Sequence, residues 1–330
     1  VACLPKLIVN HGFKYYESKF NQISGIGDSL MTDEDKQFCG YVAILGRPNV
    51  GKSTLLNKLL GQKISITSRK PQTTRHRIIG IDTKDDYQTI FVDTPGVQRK
   101  HDSAIHRYMN RAATSTIEDV DAIILVVDRL NWTDEDEYVV QSIRQSSAPV
   151  ILAINKVDHL VEKNRLLPHI QALSAKLAWA DVVPVAAKTG YNLEPLQAAI
   201  RKRLPARAHF YDAEQVTDRS ERFLAAEIVR EKIMRMMGDE LPHKVAVEIE
   251  QYKTTSKLVT ISAVIWVERD GQKKILIGVK GEKLKLIGSQ ARADIEVLVD
   301  QKVMLKLWVK VKGSWSDDER MLKSLGYADQ

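Results

Sequence analysis

The chain is poor in cysteine: Cys3 and Cys39 are the two it has in 330 residues. Both lie near the N-terminus without partner spacing, so neither a disulfide framework nor a cysteine zinc site is expected, and a reducing cytoplasm is the economical compartment. No apolar run approaches the roughly 20 residues that cross a bilayer, so no transmembrane helix is expected. Internal repeats and low-complexity tracts are absent too. What remains is ordinary for a globular protein, 44% hydrophobic and 28% charged, with a length that suits two or three domains.

The net charge of +7 is a poor guide to partners, because it is unevenly spread. Residues 36–205 carry 24 Lys and Arg against 17 Asp and Glu, whereas residues 206–330 carry 22 against 20 and residues 1–35 carry 3 against 5. A nucleic-acid reading must therefore rest on local clusters. The first 35 residues form an extension without sustained periodicity and without the features of a signal peptide. Met31 stands just before the first core strand and is expected to be the physiological start, making residues 1–30 a non-native upstream extension.

From Tyr41 to Leu204 short apolar runs alternate with helix-length segments. Tyr41–Leu45, Thr89–Val92, Ile123–Val127, Val150–Ile154 and Val182–Val185 read as buried strands, which predicts an α/β domain with a doubly wound, largely parallel sheet over residues 36–205. A polar linker follows over 206–220. Residues 221–330 read as a smaller α+β domain with a C-terminal tail. Its elements are a helix over Glu221–Met237, two alternating strands through Val245–Ile249 and Val259–Val267, a helix-prone run over Gln272–Ile277, a helix after Gly281, and a last strand. That strand sets Leu305, Leu307, Val309 and Val311 opposite Lys306, Lys310 and Lys312.

Gly46-Arg47-Pro48-Asn49-Val50-Gly51-Lys52-Ser53 fits G-x-x-x-x-G-K-[S/T] between a predicted strand and a helix. Its glycines let backbone N–H groups wrap a β-phosphate, Lys52 adds charge at the β- and γ-phosphates, and Ser53 is a Mg²⁺ ligand; Thr54 adjoins the same phosphates. Asn155-Lys156-Val157-Asp158 ends a buried strand. A buried Asp158 carboxylate would accept from guanine N1–H and N2–H₂, which adenine lacks, so the nucleotide is GTP or GDP and a metabolic ATPase is disfavoured. In Asp93-Thr94-Pro95-Gly96, Asp93 is set to hold the Mg²⁺ shell through water and Gly96 to sense the γ-phosphate. Thr73 or Thr74, in a basic loop, closes that shell; the residues do not choose between them. Ala187 N–H is placed for guanine O6, and Lys188 either packs on the base or is exposed.

Together these motifs resemble the Era family of bacterial ribosome-assembly GTPases over residues 32–330, through Gly46–Gln62, Ile64–Gly80, Asp93–Gly96, Asn155–Asp158, Thr217–Arg230 and Leu307–Tyr327. The resemblance implies a P-loop domain followed by a type II KH domain. In it Gly278-Val279-Lys280-Gly281 clamps single-stranded RNA, with Lys273, Lys274, Lys280 and Lys283 meeting phosphate. Residues 269–285 hold six basic side chains against Asp270 and Glu282, so charge is concentrated there.

The resemblance further implies binding near the 3′ end of 16S rRNA, maturation of the 30S subunit, a monomer in the cytoplasm, and peripheral attachment to the inner membrane. Lys52, Thr73, Thr74 and Gly96 are then the catalytic candidates. The rival is a membrane-surface or cell-cycle regulatory GTPase whose second domain binds protein or lipid. Val97 stands where many signalling GTPases carry a water-orienting glutamine, a substitution shared by Era-like proteins, so slow intrinsic hydrolysis is expected. Asn49 is a candidate K⁺ ligand by likeness to related GTPases.

Overall fold

The computed structural model describes residues 36–68, 70, 73–96, 103–117, 119–237 and 245–327. The expectations for Met31 and Val97 lie outside them.

The chain enters through β1 (Phe38–Leu45), whose later residues are almost all buried, and turns through the glycine loop into α1 (Lys52–Leu60). β2 (Ile78–Lys84) and β3 (Tyr87–Asp93) follow as an antiparallel pair, then α2 (Ala104–Ser115) and the fully buried β4 (Ala122–Asp128). Next come α3 (Asp134–Ile143), β5 (Val150–Asn155), α4 (Leu166–Ser174), β6 (Asp181–Pro184) and α5 (Leu193–Arg201). Thr133 and Asp136 close a reciprocal capping box at the start of α3, whose first turn is wholly acidic, as the helix dipole favours.

The six strands lie in the order β2-β3-β1-β4-β5-β6. β1, β3, β4, β5 and β6 run parallel, so the largely parallel sheet expected from the alternation is present. β2 is an antiparallel edge that the apolar runs did not reveal, because Ile78, Ile79 and Ile81 do not alternate and the strand then turns polar. Two apolar layers sandwich the sheet, one around Ile44, Leu55, Leu56 and Ile124, the other around Leu45, Leu125, Val139 and Ile154. Each such fully buried side chain contributes about 1.5–3 kcal/mol relative to exposure. The strand order departs to both sides of β1, and folds of this kind bind ligands at the carboxyl end of that strand.

The polar segment 206–220 is laid along the sheet rather than hanging free. Phe210 and Tyr211 N–H groups donate to Gln88 Oε1, Ile81 N–H donates to Val216 O at 2.8 Å, and Thr217 Oγ1 donates to Ile79 O at 2.6 Å. This covers the β2 edge, which would otherwise offer unpaired backbone groups.

Ser220 then caps α6 (Glu221–Met236), followed by β7 (Val245–Thr254), β8 (Leu258–Val267), α7 (Asp270–Ile277), α8 (Glu282–Val299) and β9 (Lys302–Val311). This is the expected α-β-β-α-α-β series. β8 is central, antiparallel to β7 and parallel to β9. On β9, Val303 and Val309 are buried while Val311 is exposed, so the apolar face stops short of the residue expected to end it. Beyond it Trp315 is fully buried and α9 (Glu319–Ser324) packs with α2, an arrangement no local period announces.

Candidate nucleotide site and RNA loop

The phosphate loop is built to hold its shape. Gly51 takes φ +105°, and a Cβ there would fall 2.3 Å from Asn155 Nδ2, so only glycine fits. Asn155 is buried and works as a staple: its Nδ2 donates to Val50 O at 2.8 Å, and its Oδ1 accepts from Lys156 N and Ala187 N. The Ala187 N–H assigned to guanine O6 is therefore engaged by Asn155. Lys52 Nζ donates to Gly46 O and Arg47 O at 2.9 and 3.0 Å, and burial pushes its ammonium down to about 8. The Arg47 side chain leaves the loop for Asp136 Oδ2, 3.0 Å away, tying the loop to the α3 cap.

Three hydroxyls converge on Asp93. Ser53 Oγ donates to Asp93 Oδ2 at 2.8 Å, Ser65 Oγ at 2.9 Å and Thr74 Oγ1 at 3.4 Å, with Ser53 and Thr74 hydroxyls 2.7 Å apart. Among the described residues Asp93 Oδ1 is buried without a partner, and burial raises the Asp93 carboxyl against the opposing pull of Lys52. The Ser53 and Thr74 hydroxyls, side by side on one carboxylate oxygen of Asp93, form a hard-donor set that fits Mg²⁺. The geometry separates the two threonines. Thr74 is buried in this cluster, whereas Thr73 Oγ1 donates to Lys70 O at 2.7 Å. Thr94 is buried and donates to Ile44 O, anchoring the loop after β3. A cavity of about 50 Å³ brings Pro48, Asn49, Lys52, Ser53 and Thr54 to Thr73, Thr74 and Gly96.

On the base side one expectation changes. Asp158 is not buried: its side chain is 26% exposed, 3.7 Å from His159 Nε2. A carboxylate at the rim would discriminate by its two acceptors alone, without the full penalty of an unpaired buried charge. Lys156 takes φ +63° and reaches back to Asn49 O and Asp128 Oδ2, both at 2.7 Å. Lys188 is exposed beside the buried Ala187. Sequence reasoning missed Ser65, Asp128 and Asp136. None belongs to a spaced motif, although Asp128, ending a buried strand, carried a signal.

In the second domain Gly278 takes φ +74°, ψ −179°, a region open to glycine alone, and lies over the Lys283 side chain. Val279 is 76% exposed, Lys280 is exposed, and the 278–281 turn joins α7 to α8. Lys273 is half-buried while Lys274 and Lys283 are exposed. Beside the turn runs a groove of about 450 Å³, walled by Gly281, Leu284, Lys285, Gly288, Arg292 and Leu307, which extends the candidate site beyond the residues named from sequence.

The two domains meet at the loop that carries Thr73 and Thr74. Arg230 of α6 donates to Thr73 O, Glu231 accepts from Thr67 N at 2.8 Å, and Lys70 Nζ donates to Met237 O. Arg75 Nη1 donates to Val245 O at 2.7 Å, and His76 stacks on Tyr327 with ring centres 4.3 Å apart. Burial alone would raise the Glu227 carboxyl, but the Arg230 guanidinium 2.6 Å away holds it below its ordinary value.

A phosphate loop, a guanine-type loop after β5 and a GxxG turn in an α-β-β-α-α-β domain define a GTPase with an appended KH domain. The family model described as 50S ribosome-binding GTPase matches residues 41–156, and that described as KH domain matches 240–316. GTPase Era of Pseudomonas putida is 59% identical over 299 residues, covering 91% of this chain and all of the relative; that of Azotobacter vinelandii is 57% identical over the same shares. The chain belongs to the Era family of GTPases. Among solved structures, a tyrosine-to-alanine variant of Aquifex aeolicus Era bound to GDP·AlF4⁻ superposes with TM-score 0.86 at 39% identity, covering 88% of this chain and 100% of that one. Era in complex with MgGDPNP and nucleotides 1506–1542 of 16S ribosomal RNA matches with the same score and identity, covering 88% and 99%.

Proposed function

We propose that this GTPase binds the 3′ end of 16S rRNA through the 278–281 turn and its groove, assists processing and maturation of the 30S subunit, and couples that binding to its nucleotide state. The observation that carries the reading is the set of bonds from α6 to the loop holding Thr74. A change at the γ-phosphate that moves this loop must move or release α6, the first helix of the RNA-binding domain. The working division is a nucleotide domain over 36–205, a strap over 206–220 and an RNA-binding domain over 221–330.

In the nucleotide site Lys52 neutralises the β- and γ-phosphates, the Gly96 N–H meets the γ-phosphate, and Asp158 selects guanine. Ser53 and Thr74 would hold Mg²⁺ directly and Asp93 through water; the ion, when bound, neutralises charge on the phosphate oxygens. A K⁺ ion beside Asn49 would add charge there, tested by hydrolysis rates in KCl against NaCl; equal rates would remove it. Val97 supports a slow intrinsic rate. Among the described residues no helix is long and apolar enough to cross a membrane. The reading places a monomer in the cytoplasm, with any attachment to the inner membrane peripheral.

Filter binding of a 16S 3′-end oligonucleotide to wild type and Gly281→Asp tests the RNA assignment. The aspartate brings negative charge to the phosphate clamp, and affinity should fall by about tenfold or more. Wild-type affinity in that variant would defeat the assignment and favour a protein- or lipid-binding second domain.

A further inference from the structure

Of the three hydroxyls on Asp93, two belong to expected metal ligands and one does not. Ser65 is fully buried, and its Oγ donates to Asp93 Oδ2 at 2.9 Å. Its placement depends on neither the phosphate loop nor Thr74. From α1, Asn57 Oδ1 accepts from Ile64 N and Ser65 N, both at 3.0 Å, and Asn57 Nδ2 donates to Ser65 O at 2.7 Å. From the second domain, the buried Glu231 carboxylate accepts from Lys63 Nζ at 2.5 Å and from Thr67 N at 2.8 Å. Ser65 thus sits midway along a five-residue segment that one carboxylate of α6 grips at both ends. Lys63 also reaches Asp294 on α8, the helix that leaves the RNA turn, and Lys232 pairs with the same Asp294 at 2.6 Å.

A carboxylate that can rotate exchanges its two oxygens. Hydroxyl donors gathered on Oδ2 fix the rotation of the carboxylate, and that oxygen lies beside the two hydroxyls that would hold the ion, so loss of a donor loosens the group facing the metal's water. Thr74 adjoins the arm of the loop that Arg230 bonds through Thr73 O, whereas Ser65 is fixed separately by Asn57 of α1 and by Glu231.

We propose that Ser65 is a positioning residue for Asp93, and that Glu231 holds Ser65 in place, giving the RNA-binding domain a grip on the metal site that bypasses Thr74. This rests on the reading of Asp93 as the metal-site carboxylate.

The test follows dissociation of methylanthraniloyl-GDP from the full-length protein over a Mg²⁺ titration, with an EDTA arm. Ser65→Ala should raise the Mg²⁺ concentration for half-maximal retention by about tenfold. It should leave the rate in EDTA unchanged, and Ser65→Thr, which keeps the hydroxyl, should restore the midpoint. Glu231→Gln should shift the midpoint the same way by about threefold. A wild-type midpoint in Ser65→Ala, or equal acceleration in EDTA, would overturn the positioning role. A shift in Ser65→Ala with none in Glu231→Gln would overturn the grip from the second domain. Asp93→Asn separates the two levels: if it leaves the midpoint unmoved, the metal-site reading itself is wrong.

Discussion

The two glycine loops proposed to hold nucleotide and RNA are built in opposite ways. Around Gly46–Ser53 the side chains are already bonded before any ligand is considered: Lys52 to two loop carbonyls, Asn155 to Val50 and Ala187, Arg47 to Asp136. The 278–281 turn instead stands open, with Val279 and Lys280 exposed beside a groove. A compact triphosphate is recognised by a cradle whose dipoles are fixed in advance, which lowers the cost of ordering it. A polynucleotide that passes through needs a clamp reachable along its length. Substitutions in the first loop should therefore act abruptly, and those in the second by degrees.

The sharpest break should come from Gly51→Ala, where a methyl collides with Asn155 at a left-handed φ. GTP affinity should fall by several hundredfold or about that, measured by fluorescence titration with methylanthraniloyl-GTP. Thr74→Ala should lower the hydrolysis rate by about a hundredfold, while Thr73→Ala, whose hydroxyl caps its own loop, should stay within about threefold. Equal losses in the two would dissolve the distinction between them. Asp158→Asn should weaken GTP by about fiftyfold and admit xanthosine triphosphate, whose O2 accepts from the new amide; competition against labelled GTP reads both. In the RNA turn, Gly278→Ala meets Lys283 Cγ at 2.8 Å and should cost about tenfold in oligonucleotide affinity, with hydrolysis in the absence of RNA unchanged. Lys280→Ala should cost only about threefold, and make the salt dependence of binding shallower by about 0.7 of a log unit per log unit.

The same contrast explains what could be read from the chain alone. The octet Gly46–Ser53, Asn155–Asp158 and Asp93–Gly96 are local patterns whose chemistry needs fixed spacing, so they are visible in one dimension. The second domain was legible because its helices and strands keep clean periods around a GxxG turn. What escaped are pairings between distant residues. That Thr74 rather than Thr73 meets Ser53 depends on which side chain turns toward it, 21 positions away. Ser65 meets Asp93 across 28 residues, and Glu231 meets Thr67 across 164. The β2 edge and the tail around Trp315 take their form from what packs on them, and the exposure of Asp158 follows from the turn after β5 rather than from its motif.

The central claim is that the closed loop and the open one are coupled through α6. Its most direct test is the affinity of a 16S 3′-end oligonucleotide for the same protein loaded with MgGDPNP and with MgGDP. Coupling requires the two affinities to differ by about fivefold or more. Equal affinities in the two states would contradict it.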